Sequence, residues 1–155
     1  MKLFSKLKSD FFSAKEQEEI KEAIRHAEKK TSGEIRIFID HHEDVLGPLE
    51  KAEIVFYHLK MEATVHRNAV LIYIALKNKT FALYGDQGIH ERVGTAYWNR
   101  LCDDLGKHFR EDYMRDGLIQ CINELGVALS EHFPYECDDK NELPEDIVFG
   151  HDEIK

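Results

Sequence analysis

Ala69-Val-Leu-Ile-Tyr-Ile-Ala-Leu76 is apolar at every position. A strand with one wet face alternates apolar and polar residues. An unbroken apolar run rich in β-branched and aromatic side chains is instead expected of a strand covered by helices on both faces. This segment is therefore read as a central strand, and the fold must supply helices on both sides of its sheet.

The sequence around it supplies them. Lys77-Asn78-Lys79 is a tight turn, and Thr80-Phe81-Ala82-Leu83-Tyr84 returns as a strand antiparallel to the first. Upstream, Glu34-Ile-Arg-Ile-Phe-Ile-Asp40 alternates, with three isoleucines on one face, and reads as another strand. Between the two, Gly47-Pro48 starts a helix, because proline at the first helical position gives up no needed donor. Ala52, Val55, Phe56 and Leu59 form its apolar stripe. Strand, crossover helix and parallel strand make a βαβ unit. Ser13-Ala14-Lys15-Glu16 fits a capping box and opens an earlier helix with Ile20, Ala23, Ile24 and Ala27 on one face. After the hairpin, Val93, Tyr97, Trp98, Leu101, Leu105 and Phe109 step through a long helix, and a further helix follows Asp112 until Pro134 ends it. The expected fold class is α/β: a three-layer α/β/α sandwich with a mixed sheet of about four strands and helices on both faces. Residues 1–12 are read as an N-terminal arm, 13–133 as the domain and 134–155 as an acidic C-terminal tail.

Composition narrows the function. Of a net charge of -9 over 155 residues, the segment from Phe133 to Lys155 carries -6, eight acids against two lysines, which leaves -3 for the other 132 residues. A nearly neutral body with an acidic tail lacks the basic stripe that displaces counterions from phosphates, so nucleic acid is excluded as a partner. The tail is a candidate surface for a protein partner; the alternative is that Leu143, Ile147, Val148 and Phe149, set among its acids, pack it back on the domain. No run reaches the length of a membrane span, and no signal-peptide core follows the basic start, so the expected localisation is cytoplasmic. Cys102, Cys121 and Cys137 are odd in number and form no CxxC pair. Neither a disulfide framework nor a structural zinc site is expected.

Two polar ends emerge from the layout. The antiparallel third strand ends beside the starts of the other two, which sets Leu83-Tyr-Gly-Asp-Gln-Gly-Ile-His-Glu91 next to Ser32, Gly33, Glu34, His66, Arg67 and Asn68. There Glu34, Asp86 and Glu91, with backbone carbonyls and the Asn68 amide, form an all-oxygen set suited to a hard cation such as calcium, or magnesium. The plainer alternative gives Glu91 to the helix dipole and Asp86 to an Asx-turn, with Gly85 and Gly88 supplying positive φ. At the opposite end, Asp40, His41, His42, Glu43 and Asp44 follow the carboxyl end of a parallel strand, where open α/β sheets commonly bind ligands. The turn Arg110 to Gly117, with Asp112 and Asp116, is expected to approach them. Mixed imidazole and carboxylate there suits zinc or another transition metal. No GxxxxGK[ST] loop, HExxH helix or GxSxG elbow occurs, so a hydrolase would need a metal to activate water.

Several segments together resemble the TPM domain, shared by thylakoid-lumen photosystem-repair proteins, an acetylcholine-receptor modulator and many bacterial proteins. The resemblance spans roughly Lys15 to Phe133. It is carried by AEKKTSGEIRIFI, RNAVLIYIAL, FALYGDQGI, HFREDYMRDGL and INELGVAL, and the tail NELPEDIVFG is similar to that of small bacterial members without signal peptide or anchor. Many relatives have Gly-Tyr-Gly-Leu-Glu-Gly where this chain has Leu83 to Gly88, and Gly-Asp-Tyr where it has Glu111-Asp112-Tyr113. The resemblance implies a further short strand, divalent-cation binding, chiefly calcium, at an acidic rim, and an acid-phosphatase activity proposed for plant members. The expectation is a cation-binding interaction module, with metal ligands among Asp86, Glu91, Glu34, Asp112, Asp116 and Asp40; the alternative is a metal-dependent acid phosphatase.

Overall fold

A computed structural model describes residues 11–43, 45–136 and 147–149. Asp44, most of the acidic tail and Cys137 lie outside the described residues. The chain order is α1 (Ala14–Glu28), β1 (Glu34–Asp40), α2 (Pro48–His58), β2 (Ala69–Ala75), β3 (Thr80–Gly85), α3 (Gln87–Arg110), α4 (Met114–His132) and β4 (Ile147–Phe149). The sheet runs β3-β2-β1-β4. β1 pairs in parallel with β2, from Glu34 opposite Ala69 to Asp40 opposite Ala75, and β3 returns antiparallel to β2.

Every residue of β2 is buried, as the unbroken apolar run requires. Its alternate side chains serve two cores. Val70, Ile72 and Ile74 join Ile35, Ile37 and Ile39 of β1 beneath α1, α3 and α4. Leu71 and Tyr73 join Phe38 beneath α2, whose Ala52, Val55 and Phe56 are fully buried. The molecule is thus a three-layer sandwich with a mixed four-stranded sheet. The capping box at Ser13 forms in both directions, Glu16 N donating to Ser13 Oγ at 3.1 Å and Ser13 N to Glu16 Oε1 at 3.0 Å. Among the described residues no helix is long and apolar enough to cross a membrane.

Several features depart from simple periodicity. β1 alternates in sequence, yet all seven of its residues are buried, including Glu34, Arg36 and Asp40 on the face from which Phe38 enters the second core. α3 begins at Gln87, so Gly88 lies in its first turn and not in the preceding loop. The helix is then interrupted at Gly94 (φ 80°, ψ 171°), a backbone state that side chains rarely adopt. The fourth strand comes from the segment read as a tail: Ile147–Phe149 pairs in parallel with Ile37–Ile39. Phe12, read as part of the arm, is 2% exposed and packs into the larger core.

Candidate functional site

The end of the sheet at Asp86 is assembled as the strand layout requires. Asp86 N donates to Ala69 O at 2.9 Å and Gly88 N to Arg67 O at 2.8 Å, which ties the start of α3 to the start of β2. Asp86 is the N-cap of α3, its Oδ1 accepting from Gln87 N at 2.8 Å. Arg67 grips the same carboxylate with a fork, Nε to Oδ2 at 2.6 Å and Nη2 to Oδ1 at 2.8 Å. Asp86 is 1% exposed, so it is a closed ion pair with both oxygens occupied.

Packing explains the two glycines of this stretch. A Cβ at Gly88 would lie 2.1 Å from His66 O and 2.6 Å from Arg67 O, and one at Gly85 would lie 2.3 Å from Trp98 Cζ2. Neither glycine has a positive φ, so close approach and not turn geometry calls for them. Glu34 is buried and engaged within the fold, whereas Glu91 is exposed on α3. Asn68, 1% exposed, donates from Nδ2 to Ser32 Oγ at 3.2 Å and keeps a buried Oδ1 without a hydrogen-bond partner among the described residues.

At the other end, Asp40 is equally buried. Its Oδ2 accepts from Tyr73 Oη at 2.7 Å and its Oδ1 from His42 N at 2.9 Å, with His42 Nδ1 3.4 Å away. Asp112 and Asp116 differ from it in being exposed. Asp112 takes a left-handed backbone (φ 64°) in the turn between α3 and α4. Asp116 accepts from Arg115, which also donates to Glu19 at 2.9 Å. With Glu16, these two carboxylates line a cavity of about 200 Å³ whose apolar wall includes Phe11 and Phe12. The turn also meets Ile74, Ala75 and Leu76 across a second cavity.

The sequence reading missed Glu16 and Arg67 as participants. Glu16 was legible only as half of a capping box, and nothing local marks Arg67 as the partner of a carboxylate 19 residues away. No group of three or more His, Cys, Asp or Glu side chains is placed to hold a metal ion among the described residues. Asp86, Glu91 and Glu34 therefore share an end of the sheet without forming a ligand cluster. Burial pushes the Cys121 thiol up to about 12 and raises Cys102 as well, the latter opposed by a hydrogen bond from the Leu83 backbone.

A mixed four-stranded sheet between unequal helical layers, with carboxylates at both ends, defines a small three-layer α/β sandwich. This chain belongs to the TPM domain family, whose profile matches residues 6–128. It is similar to the BA42 protein of the psychrophilic bacterium Bizionia argentinensis, solved by NMR, at 39% identity and a TM-score of 0.82, over 90% of this chain and 96% of that one. The N-terminal domain of a P. gingivalis protein shares the fold at 15% identity and a TM-score of 0.65, over 81% of this chain and 82% of that one. Comparison with curated proteins yields no match.

Proposed function

We propose that this TPM domain is a binding module that takes a divalent cation, calcium before magnesium, at the turn between α3 and α4. The observation that carries this reading is that the carboxylates of Asp112, Asp116 and Glu16 line one solvent-open cavity, which Arg115 shares, without forming a preassembled ligand cluster. Calcium accepts such flexible, partly hydrated carboxylate sets. The Asp86 end is the less favoured location, since a cation there must displace the Arg67 fork. Exposed carboxylates, one of them shared with Arg115, imply millimolar rather than nanomolar affinity, because few ligands are preorganised.

Calcium titration followed by amide NMR tests the proposal. Shifts are expected at 111–117 and at Glu16, with 85–88 unmoved. No shift in either group at millimolar calcium would end the cation reading, and shifts confined to 85–88 would transfer the site to Asp86, Glu34 and Glu91. Hydrolysis of p-nitrophenyl phosphate separates module from enzyme. Turnover that requires added calcium, magnesium or manganese, survives repurification and is lost in Asp112→Asn would replace the module with a metal-dependent acid phosphatase.

A further inference from the structure

The two edges of the sheet are finished differently. β4 is three residues long, whereas β3 offers the six-residue edge Thr-Phe-Ala-Leu-Tyr-Gly, Thr80–Gly85, with no charge and no proline. Proteins usually blunt an open edge with lysine, proline or a bulge, because its unpaired backbone groups will template another strand.

The phase of the ladder shows which groups are open. Asp86 bonds to Ala69, so alternate residues Tyr84, Ala82 and Thr80 face β2, and Phe81, Leu83 and Gly85 present N–H and C=O outward. The Leu83 N–H reaches the Cys102 sulfur, a weak acceptor that a peptide carbonyl outcompetes.

Beside this edge lies a groove of about 640 Å³ between α2 and α3. Its α2 wall carries Leu49 and Tyr57, 58% and 42% exposed. Aromatic faces of Tyr57, Tyr84 and Trp98 line it, and among the described residues no lysine or arginine does. Its rim is negative: Glu53, exposed on α2 one turn from both Leu49 and Tyr57, and Asp103, exposed on α3 next to Cys102, border it, while Asp86 is paired with Arg67. Glu53 also helps to raise the Tyr84 phenol, which burial and a hydrogen bond with Tyr57 raise most.

We propose that the β3 edge receives an extended basic segment of a partner protein as an added strand, its backbone pairing with Phe81, Leu83 and Gly85 and its Lys or Arg side chains lying over Tyr57 and Tyr84 beside Glu53. Main-chain bonds supply affinity in such β-augmentation, and cation–π contact with the local carboxylate supplies the preference for a basic partner. A second copy of this chain is the wrong occupant, because pairing β3 with β3 would set one acidic groove against another.

The probe is acetyl-Lys-Val-Lys-Val-Lys-Val-Lys-amide, added to the full chain and followed by amide NMR. Shifts and slowed hydrogen exchange are expected at Phe81, Leu83 and Gly85, with a shift of the Trp98 indole N–H. N-methylating the valines and the lysines in separate peptides should abolish binding in one phase only, since alternate amides face β3. The exposed substitution Glu53→Lys should weaken binding roughly five- to tenfold at low salt. The proposal is overturned if the peptide leaves β3 unmoved at millimolar concentration, if both methylated forms bind equally, or if Glu-Val-Glu-Val-Glu-Val-Glu binds as well. Concentration-dependent dimerisation through β3, seen by sedimentation without peptide, would overturn it in favour of a second copy.

Discussion

Asp86 and Asp112 stand at opposite ends of the same sheet and meet opposite fates. Asp86 caps a helix, accepts both arms of Arg67 and is closed to solvent. Asp112 sits in an exposed turn whose neighbouring carboxylates line an open cavity. A carboxylate beside glycines at a helix start looks like a ligand in sequence, yet in this fold it joins α3 to β2. Of the carboxylates proposed for a cation, Glu16 also caps α1 and Asp116 also accepts from Arg115, so Asp112 marks the contrast with Asp86 most clearly.

This contrast can be attacked by substitution, beginning where the effect should be greatest. Gly88→Ala ought to destabilise by about 3 kcal/mol, read by urea unfolding, because its Cβ would meet carbonyl oxygens of His66 and Arg67 that cannot withdraw. Alanine normally favours a helix by about 1 kcal/mol over glycine, so a gain in stability would show that the end at Asp86 is looser than described. Asp86→Ala should cost about 2 kcal/mol through the lost cap, with calcium shifts at 111–117 unchanged; loss of the calcium response would erase the distinction between the ends.

Tyr73→Phe removes the donor to a buried carboxylate and should cost about 1.5 kcal/mol in thermal unfolding. That outcome would class Asp40 with Asp86 as a structural acid, although it lies at the end of the sheet nearer Asp112. Asp112→Asn retains a residue that tolerates a left-handed backbone, so stability should change by no more than about 0.5 kcal/mol. Calcium affinity should nevertheless fall severalfold in the same variant. A larger loss of stability with calcium binding intact would reverse the roles assigned to the two ends.

Much of the fold was legible because single segments carry it. The apolar run at Ala69 required two covering layers, Ser13 and Glu16 satisfied each other locally, and Pro134 could not continue α4. Less could be read where a distant element changed the meaning of a pattern. The alternation of β1 announces one buried face, but Phe38 carries the other into a second core, and Glu34, Arg36 and Asp40 are buried there too. The apolar residues Ile147, Val148 and Phe149 suggested a tail that packs back on the domain, but that they do so as a strand beside β1 was decided by the edge β1 offers. Candidate ligands suffered in the same way: proximity of Asp86 to Arg67 followed from strand order, but the fork that occupies both oxygens did not.

By itself, then, the sequence of this TPM domain determined the order of helices and strands, the parallel β1–β2 pair with its hairpin, and which polar residues gather at which end. Those depend on hydrophobic periodicity, capping and turn chemistry, all of which act over a few neighbouring residues. Tertiary structure alone decided that Asp86 and Asp40 are closed while Asp112 is open, that Gly85 and Gly88 are small for contact and not for turning, and that among the described residues no strand pairs with the outer edge of β3. These depend on what packs against each group from far along the chain, and a carboxylate's freedom to bind is set by whichever donor arrives there first.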